Sequence, residues 1–290
     1  MAADGFADPV FVGGTGRSGT HPVARLLGRS SRYHYISREM HFHVDKGGLA
    51  DLLAGRVSLA RFVRNMRGYW WERPGPRGGT IGLKGKVPED IFEPAVAEFE
   101  RSFDDDPRAA STKLVRSLLD PLAEEDGKPS WIEQTPWNVS GAPTLLELFP
   151  RMKLIHMVRD GRDVACSVTT RGWGPNSPMR GIRWWEKRLR AAAAGEQAIP
   201  PDRVLVMRLE DLLLRDRERS YRRLRDFLEL EDERKMRKYF DRKLLAENAN
   251  LGRWREDLPP RRVARFERRY ERAVERLRAD GIASAPVDSG

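Results

Sequence analysis

A glycine-rich stretch near the N-terminus has residue types that bind anions. "FVGGTGRSGTH", residues 11–21, carries from Gly14 the spacing G-x-x-x-x-G of the nucleoside-triphosphate loop, but Thr20 stands where that loop has its Lys. In a turn from strand to helix, backbone N–H groups and the helix dipole both favour a bound anion. Arg17 supplies a full positive charge within the turn. The stretch therefore indicates an anion site, with an ordinary glycine-rich turn as the alternative.

A second stretch, "MVRDGRDVACSVTTRGW" at residues 157–173, has an Arg where a predicted strand ends. Ligands of open α/β sheets lie beyond the carboxyl ends of the strands, where Arg159 is expected. Ser167 follows a little over two helical turns later, so both side chains can converge on one phosphate. The alternative is a helix capped by Asp160 with a buried Ser. Cys166 is expected to be a small core residue.

A third stretch, "SREMHFHVD" at residues 37–45, combines a carboxylate and imidazoles after the predicted second strand. Glu39 lies 22 residues after Arg17. Glu and His are the side chains that most often move protons in catalysis. A charged loop with a surface His is the alternative interpretation of Glu39 and His41.

The pattern of strands and helices predicts how these stretches are positioned. Continuous apolar runs typical of buried parallel strands alternate with amphipathic helical segments, which favours a doubly wound, mainly parallel sheet. Residues 47–72 are predicted to be helical, and residues 217–230 form an amphipathic helix with Tyr221, Leu224 and Phe227 or Leu228 inward. The predicted strands are "PVFVGG", "YHYIS", "MKLIHMV" and "DRVLVMRLEDL", with "TIGLKG" (80–85) and "SWIEQT" (130–135) as weaker candidates.

Composition narrows the class of protein. A chain of 290 residues suits one large α/β domain or two small ones, and its net charge of +10 suits a polyanionic partner. In "RRVARFERRYERAVERLR", however, Glu alternates with Arg at helical spacing, which is typical of a solvated helix surface. With one Cys, no apolar run of about 20 residues and no signal peptide, the sequence predicts a cytoplasmic protein without a transmembrane segment, disulfide framework or four-Cys zinc site.

Together, "GTGRSGTH" and "VRDGRDVACS" resemble the 5′-phosphosulfate and 3′-phosphate loops of the sulfotransferases that use 3′-phosphoadenosine 5′-phosphosulfate (PAPS). The motifs are most similar to the bacterial, tyrosylprotein and heparan sulfate branches. Further similar segments are "REMHFHVD", "IEQTPWN", "RLEDLLLRD", "RDFLEL" and "NLGRWREDLPP". The resemblance covers roughly residues 9 to 279 and is weakest in the region 44–130.

The resemblance implies an α/β fold with a single P-loop-like domain, a mainly parallel sheet flanked by helices, and helical insertions on the acceptor side. The whole chain, 1–290, would then be one sulfotransferase domain. Its expected parts are a nucleotide-binding core (9–43 and 131–279), an acceptor-side helical region (44–130) and a flexible tail (280–290).

The resemblance also implies roles for individual residues. PAPS is the expected cofactor, adenosine 3′,5′-bisphosphate (PAP) is its product, and no metal is expected. The expected catalytic residues are Glu39 as base, Arg17 at the leaving phosphate, and His41 as acceptor positioner or, in a rival assignment, as base. The residues implied for PAPS binding are Gly16, Arg17, Ser18, Gly19, Thr20, His21, Arg159, Ser167, Arg171 and Arg253.

This chain departs from the family pattern at three positions. Gln134 in "IEQTP" replaces a Lys that in many relatives assists the sulfuryl group. His21 replaces the final Thr of "RSGTT", and Leu209 replaces a Tyr that contacts the nucleotide. These departures leave open a catalytically impaired protein that binds a nucleotide or polyanion.

The acceptor is expected to be a small molecule, natural product, lipid, carbohydrate or peptide, bound through His41, Lys84 and Trp173. Core packing is the expected role of most tryptophans, and Trp173 is the exception because it enters a Gly/Pro-rich loop. No nucleic acid partner is expected, and a homodimer is left open. A P-loop small-molecule kinase is the rival enzyme, but it needs the Lys that is missing after Gly19.

Overall fold

The computed structural model describes residues 7–75 and 79–285, which fold around a five-stranded parallel sheet. The strand order is β2-β3-β1-β4-β5, and every neighbouring pair is parallel. The predicted α/β class with a parallel sheet is therefore confirmed. The strands are β1 (Val10–Gly14), β2 (Tyr33–Tyr35), β3 (Ser130–Glu133), β4 (Lys153–Val158) and β5 (Val204–Arg208).

Helices cover both faces of this sheet. The α-helices are α1 (Thr20–Leu27), α2 (Leu49–Leu53), α3 (Leu59–Asn65), α4 (Glu89–Ser102), α5 (Pro107–Glu125), α6 (Ala142–Leu148), α7 (Gly161–Thr169), α8 (Pro178–Gln197), α9 (Arg217–Leu228), α10 (Arg234–Lys243), α11 (Trp254–Asp257) and α12 (Pro260–Ala279). Short π-helical turns are Met66–Trp70 and Asp211–Arg215, and 3-10 turns are Leu83–Gly85, Pro136–Asn138, Pro201–Arg203 and Ala246–Asn248.

The central strand β1 has apolar side chains on both faces, which explains its continuous apolar sequence. Val10 and Val12 belong to a buried cluster with α1 and α9, whereas Phe11 belongs to a second cluster with the helices of residues 49–123. A third cluster joins α7, α8 and α12. A parallel sheet needs such cover on both faces, so this packing fixes β1 in the middle of the sheet.

Strand β1, which precedes the glycine-rich loop, and strand β4, which precedes Arg159, are direct neighbours in the sheet. Gly14, at the end of β1, pairs with Met157 of β4, and a Cβ added to Gly14 would lie 2.4 Å from the carbonyl oxygen of Met157. Only glycine permits this close approach. The two predicted anion-binding loops therefore leave the sheet side by side at its carboxyl edge.

Several predicted elements differ in detail. The strand predicted for "TIGLKG" is wrong, because Leu83 is buried in a 3-10 turn and Thr80 forms one isolated bridge with Pro74. The predicted helical stretch 47–72 divides into α2, α3 and a π-helical turn. In α9, Tyr221, Leu224 and Leu228 are buried, while Phe227 is only partly so.

The predicted tail starts within the third cluster. Ile282 and Ala285 are buried there, and residues 286–290 lie outside the described residues. Within residues 7–75 and 79–285, no helix is long and apolar enough to cross a membrane.

Candidate active site

A cavity of about 1530 Å³ opens at the carboxyl edge of the sheet, beyond β1 and β4. Its walls come from the glycine-rich loop, the loop after β2, the start and end of α7, and the segment before α11. All three chemistry-bearing stretches therefore meet at one cavity. The predicted residues that line it are Gly16, Arg17, Gly19, Thr20, His21, Glu39, His41, Arg159, Ser167, Arg171, Trp173 and Arg253.

The glycine-rich loop turns through left-handed backbone conformations. Gly16 and Gly19 have φ angles of 84° and 93°, which favour glycine. Arg17 between them has a φ angle of 57°, an uncommon value for a residue with a Cβ. This conformation aims the Arg17 side chain into the cavity, and such local strain is concentrated at functional sites.

Arg17 joins the two predicted anion-binding stretches directly. Its Nε donates a hydrogen bond to the Ser167 Oγ on α7 over 3.0 Å. Arg171, at the end of the same helical segment, lines the cavity beside them. Among the described residues, neither Arg17 nor Arg171 has a carboxylate within ion-pair distance.

Within the described residues, the positive charges of Arg17 and Arg171 are not balanced by an ion pair. Burial lowers the pKa of Arg17, and the positive charges of Arg171 and Arg159 lower it further, against an opposing effect of Glu39. The shifted pKa means that these cations repel one another in the absence of an anion. A bound group with two or more negative charges would relieve that repulsion.

Arg159 holds the loops of the site together. Its guanidinium donates to the carbonyl oxygens of Arg17, Ala249 and Asn250 over 3.2, 2.9 and 2.9 Å, and lies 3.4 Å from Asp163. Its buried Nε has no hydrogen-bond partner among the described residues. Arg159 therefore links the glycine-rich loop to the segment at residues 249–250.

Asp163 holds the "GRW" segment, residues 252–254, in place. The sequence did not reveal this role. Its carboxylate accepts hydrogen bonds from the backbone N–H groups of Gly252 and Trp254 over 2.8 and 3.2 Å. Arg253 between them faces the cavity and pairs with Asp257 at 3.2 Å. Arg159 also joins the residues just before this segment to the Arg17 loop.

Glu39, His41 and Asp45 form a chain of charged side chains that lines the same cavity. His41 Nε2 lies 3.1 Å from a Glu39 oxygen, and His41 Nδ1 lies 2.9 Å from an Asp45 oxygen. Burial of the His41 ring opposes its protonation, but the carboxylates of Asp45 and Glu39 outweigh burial and raise the pKa of His41 to about 9. His41 is therefore protonated at neutral pH and cannot accept a proton there.

A buried carboxylate at the end of β3 holds the Glu39 loop in place. Glu133 accepts hydrogen bonds from the Met40 backbone N–H over 2.9 Å, from Thr135, and from the Asn138 amide over 2.6 Å. Asn138 also donates to the carbonyl oxygen of Val12 in β1. This network links the loop that contains Glu39 to β1, the strand that precedes the glycine-rich loop.

His43 completes that network. Its Nε2 lies 2.8 Å from the Asn138 oxygen and 3.3 Å from Glu133. Burial disfavours the Glu133 carboxylate, but His43, Thr135 and the Met40 N–H outweigh it and hold the pKa of Glu133 well below its usual range. Neither Glu133 nor His43 was singled out from the sequence; "HFHVD" and "IEQTP" were the available signals.

Three predicted positions lie away from the cavity wall. Ser18 is fully buried, and its hydroxyl has no hydrogen-bond partner among the described residues. Gln134 is also fully buried, with both amide atoms unpartnered within the described chain. Lys84 is exposed and pairs with Glu72 at 2.9 Å, whereas its neighbour Lys86 lines the cavity.

His21 contributes a neutral imidazole to the cavity. Its Nδ1 lies 2.6 Å from the Tyr35 hydroxyl at the end of β2. Burial lowers the pKa of His21, so the ring is uncharged at neutral pH. His21 thus offers hydrogen bonding in place of a second full charge.

Aromatic side chains line the outer part of the cavity. Trp173 is 63% exposed, and its ring centroid lies 6.1 Å from that of Trp184. The Arg188 guanidinium lies 3.5 Å from the centre of the Trp137 ring, a contact that the sequence did not predict. Trp70, Trp71 and Trp185 are buried core residues, as expected for most tryptophans.

The side chains of the described residues do not form a metal site. Among residues 7–75 and 79–285, no group of three or more His, Cys, Asp or Glu side chains is placed to hold a metal ion. Cys166 is buried, and burial raises the pKa of its thiol to about 12. Cys166 is therefore a core residue without nucleophilic character.

The chain was found to be similar to known proteins in sequence and in fold. A sequence model of the sulfotransferase family matches residues 9–234, and no curated protein sequence matches significantly. The sulfotransferase domain of the Synechococcus PCC 7002 olefin synthase is similar in fold, with 18% identity, a TM-score of 0.54, and coverage of 96% of this chain and 97% of that domain.

Two further solved structures share the fold. The sulfotransferase domain from the curacin biosynthetic pathway has 15% identity, a TM-score of 0.52, and coverage of 94% of this chain and 98% of that domain. A sulfotransferase from Mycobacterium avium has 15% identity, a TM-score of 0.51, and coverage of 96% of this chain and 77% of that protein.

Proposed function

This chain belongs to the sulfotransferase family, and we propose that it moves the sulfuryl group of PAPS to a hydroxyl or amine of its acceptor. The acceptor class is a small molecule, carbohydrate, lipid or peptide. The observation that carries the proposal is the shared cavity, in which uncompensated guanidinium groups face a carboxylate-imidazole pair.

The residues of the cavity fit PAPS as a ligand. A donor with a phosphosulfate and a separate phosphate needs two neighbouring anion sites, and Arg17 and Ser167 meet across 3.0 Å between the two loops. Arg171 and Arg253 line the same cavity and add further donors around them. The cavity volume of about 1530 Å³ exceeds the roughly 300–1,000 Å³ of typical ligand pockets, so it has room for donor and acceptor together.

PAPS supplies an activated sulfur whose bond to the bridging phosphate oxygen breaks as the acceptor oxygen or nitrogen bonds to that sulfur. Arg17 then faces the negative charge that develops on the leaving phosphate. Its guanidinium is already fixed by the loop backbone and by Ser167, so little reorganisation is needed. Fixed charges of this kind commonly supply the largest catalytic effect.

Glu39 is the proposed base. The acceptor loses a proton as it attacks, and that proton passes to the Glu39 carboxylate. His41 is protonated at neutral pH, so it fits a positioning role better than the role of base. The His41 cation orients Glu39 from one side and is itself anchored by Asp45 on the other.

Transfer of ³⁵S-labelled sulfate from PAPS tests the proposal. The purified chain is incubated with glycans, phenols, lipids, amines and peptides in the presence of EDTA, and labelled products are separated. Labelled product together with PAP supports the proposed reaction. Tight PAP binding without transfer to any acceptor class indicates a nucleotide-binding protein instead. Magnesium-dependent phosphate transfer from ATP would indicate the rival kinase.

A further inference from the structure

A second concave surface lies between α8 and α12, apart from the candidate active site. It is a groove of about 770 Å³, which we call the α8–α12 groove. Eight of its eleven lining residues are Arg or Lys, and only Glu186 is acidic. None of the lining residues is aromatic, and the apolar part consists of Met179 and Ile182.

The two helices that form the groove run in the same direction. Arg269 donates to the carbonyl oxygen of Met179 over 3.0 Å, and Arg276 forms a two-pronged contact of 2.8 Å with Glu186. Arg190 pairs further along with Asp280. Because these contacts advance together along both helices, the groove is continuous over roughly three helical turns, about 16 Å.

Most of the positive charge in the groove is uncompensated. Glu186 is already engaged by Arg190 and Arg276. The remaining cations have no carboxylate within ion-pair distance among the described residues; they are Arg183, Lys187, Arg265, Arg268, Arg269 and Arg272. Like charges held this close together favour a bound polyanion.

The structure separates charges that alternate in the sequence. On α12, the groove takes the stripe that includes Arg268, Arg272 and Arg276, spaced four residues apart. Glu267 and Glu271 fall on a neighbouring stripe and do not line the groove. The alternation of Arg and Glu predicted an ordinary solvated helix surface. In the structure, the face of α12 that lines the groove carries only Arg residues.

We propose that the α8–α12 groove binds an anionic polysaccharide chain. Single-stranded nucleic acids and protein partners are usually held through aromatic side chains, and this groove has none. Guanidinium groups match carboxylate and sulfate oxygens in pairs, which suits charges repeated along a sugar chain. Met179, which is only partly buried, offers an apolar contact for the C–H face of a sugar ring, which an inorganic polyphosphate chain lacks.

The groove is separate from the cavity, although α8 borders both. Trp184 and Arg188 line the cavity, while Arg183 and Lys187 line the groove, about 100° away around the helix. Binding in the groove therefore does not depend on the proposed sulfuryl transfer. Charge changes in the groove are expected to leave turnover of a small acceptor intact.

Fluorescence anisotropy with labelled dextran sulfate of defined length tests the proposal. The triple variant R265E/R268E/R272E reverses three exposed, unpaired charges of the groove. The matched control R222E/R223E/R234E makes the same net charge change on exposed residues of α9 and α10. We expect the groove variant to weaken binding at least tenfold, the control to stay within twofold, and the salt dependence to become shallower only in the groove variant.

A second variant and three competitors make the result decisive. R183E/K187E changes the opposite wall and must also weaken binding, which covers the case in which the triple variant fails to fold. The competitors are oligothymidine, inorganic polyphosphate and polyglutamate, matched in total charge. Equal weakening in groove and control variants, or groove-dependent binding of any competitor more tightly than dextran sulfate, would overturn the proposal.

Discussion

Arg17 and Ser167 are 150 positions apart in the chain, yet the Arg17 Nε donates to the Ser167 Oγ over 3.0 Å. The contact joins the turn after β1 to the helix after β4, which are neighbouring strands in the sheet. One cation therefore lies between the two predicted anion-binding loops. In the proposed function, Arg17 supplies the positive charge that a nucleoside-triphosphate loop takes from the Lys after its last Gly.

Replacing Arg17 with Lys is expected to weaken PAP binding by roughly ten- to a hundredfold. The positive charge remains, but the planar fork that contacts two oxygens at once is lost. Ser167→Ala removes one hydroxyl group but no charge, and is expected to weaken binding only about fivefold. Isothermal titration calorimetry measures both, with Arg64→Lys at an exposed position as the matched control. Equal PAP affinity in wild type and Arg17→Lys would contradict the assigned role.

Glu133→Gln is expected to lower both stability and kcat while PAP affinity changes little. Both Glu133 oxygens accept hydrogen bonds from N–H or O–H donors, so an amide nitrogen at either place faces a donor. The loss disturbs the Met40 N–H, and with it the neighbouring Glu39. Thermal unfolding, PAP titration and turnover separate these effects. A fall in PAP affinity as large as the fall in kcat would contradict a specific role in positioning Glu39, and would show that Glu133 only stabilises the fold.

His41 predicts a pH dependence of stability. Its pKa is raised from 6.5 in the unfolded chain to about 9 in the folded protein. The stabilisation is therefore complete below pH 6.5 and is lost as the pH rises through 9, with a total of about 3 kcal/mol. Urea unfolding at pH 6, 8 and 9.5 should show wild type losing its advantage over His41→Gln as pH rises. A difference that is constant with pH would contradict the ion pairs with Glu39 and Asp45.

Trp173→Ala is expected to raise KM for the acceptor severalfold, with little change in PAP affinity or stability. The ring is 63% exposed at the outer part of the cavity and packs only loosely against Trp184. Tyr69→Ala is a suitable control, because Tyr69 is a similarly exposed aromatic that does not line the cavity. An unchanged KM for every acceptor would exclude Trp173 from acceptor binding.

The fold could be predicted from the sequence, and so could the meeting of the two predicted anion-binding loops at one edge of the sheet, because both depend on local patterns. Apolar runs mark the buried strands, and Arg17 and Arg159 follow directly from strand ends. The contacts of Glu133 with Met40 and of Asp163 with the "GRW" segment join distant parts of the chain. Such contacts have no local signature, so the sequence alone did not single out either carboxylate.

The same limit explains the outcome at two other positions. Lys84 and Lys86 look equivalent in sequence, but the 3-10 turn directs Lys84 to Glu72 and Lys86 to the cavity. Gln134 was singled out for replacing a Lys, and its side chain is instead fully buried behind the cavity wall. The side-chain direction in an irregular segment depends on tertiary packing, which residue spacing does not encode.

Glu39→Gln tests the central claim most directly. Labelled-sulfate transfer from PAPS and calorimetric PAP binding are measured for wild type, Glu39→Gln and the control Glu72→Gln, whose carboxylate pairs with Lys84 outside the cavity. Loss of a general base commonly lowers turnover 10²- to 10⁴-fold. We predict a loss of that size in Glu39→Gln, with PAP affinity within about threefold of wild type and Glu72→Gln unchanged. Unimpaired sulfate transfer by Glu39→Gln would contradict the assignment of Glu39 as the base.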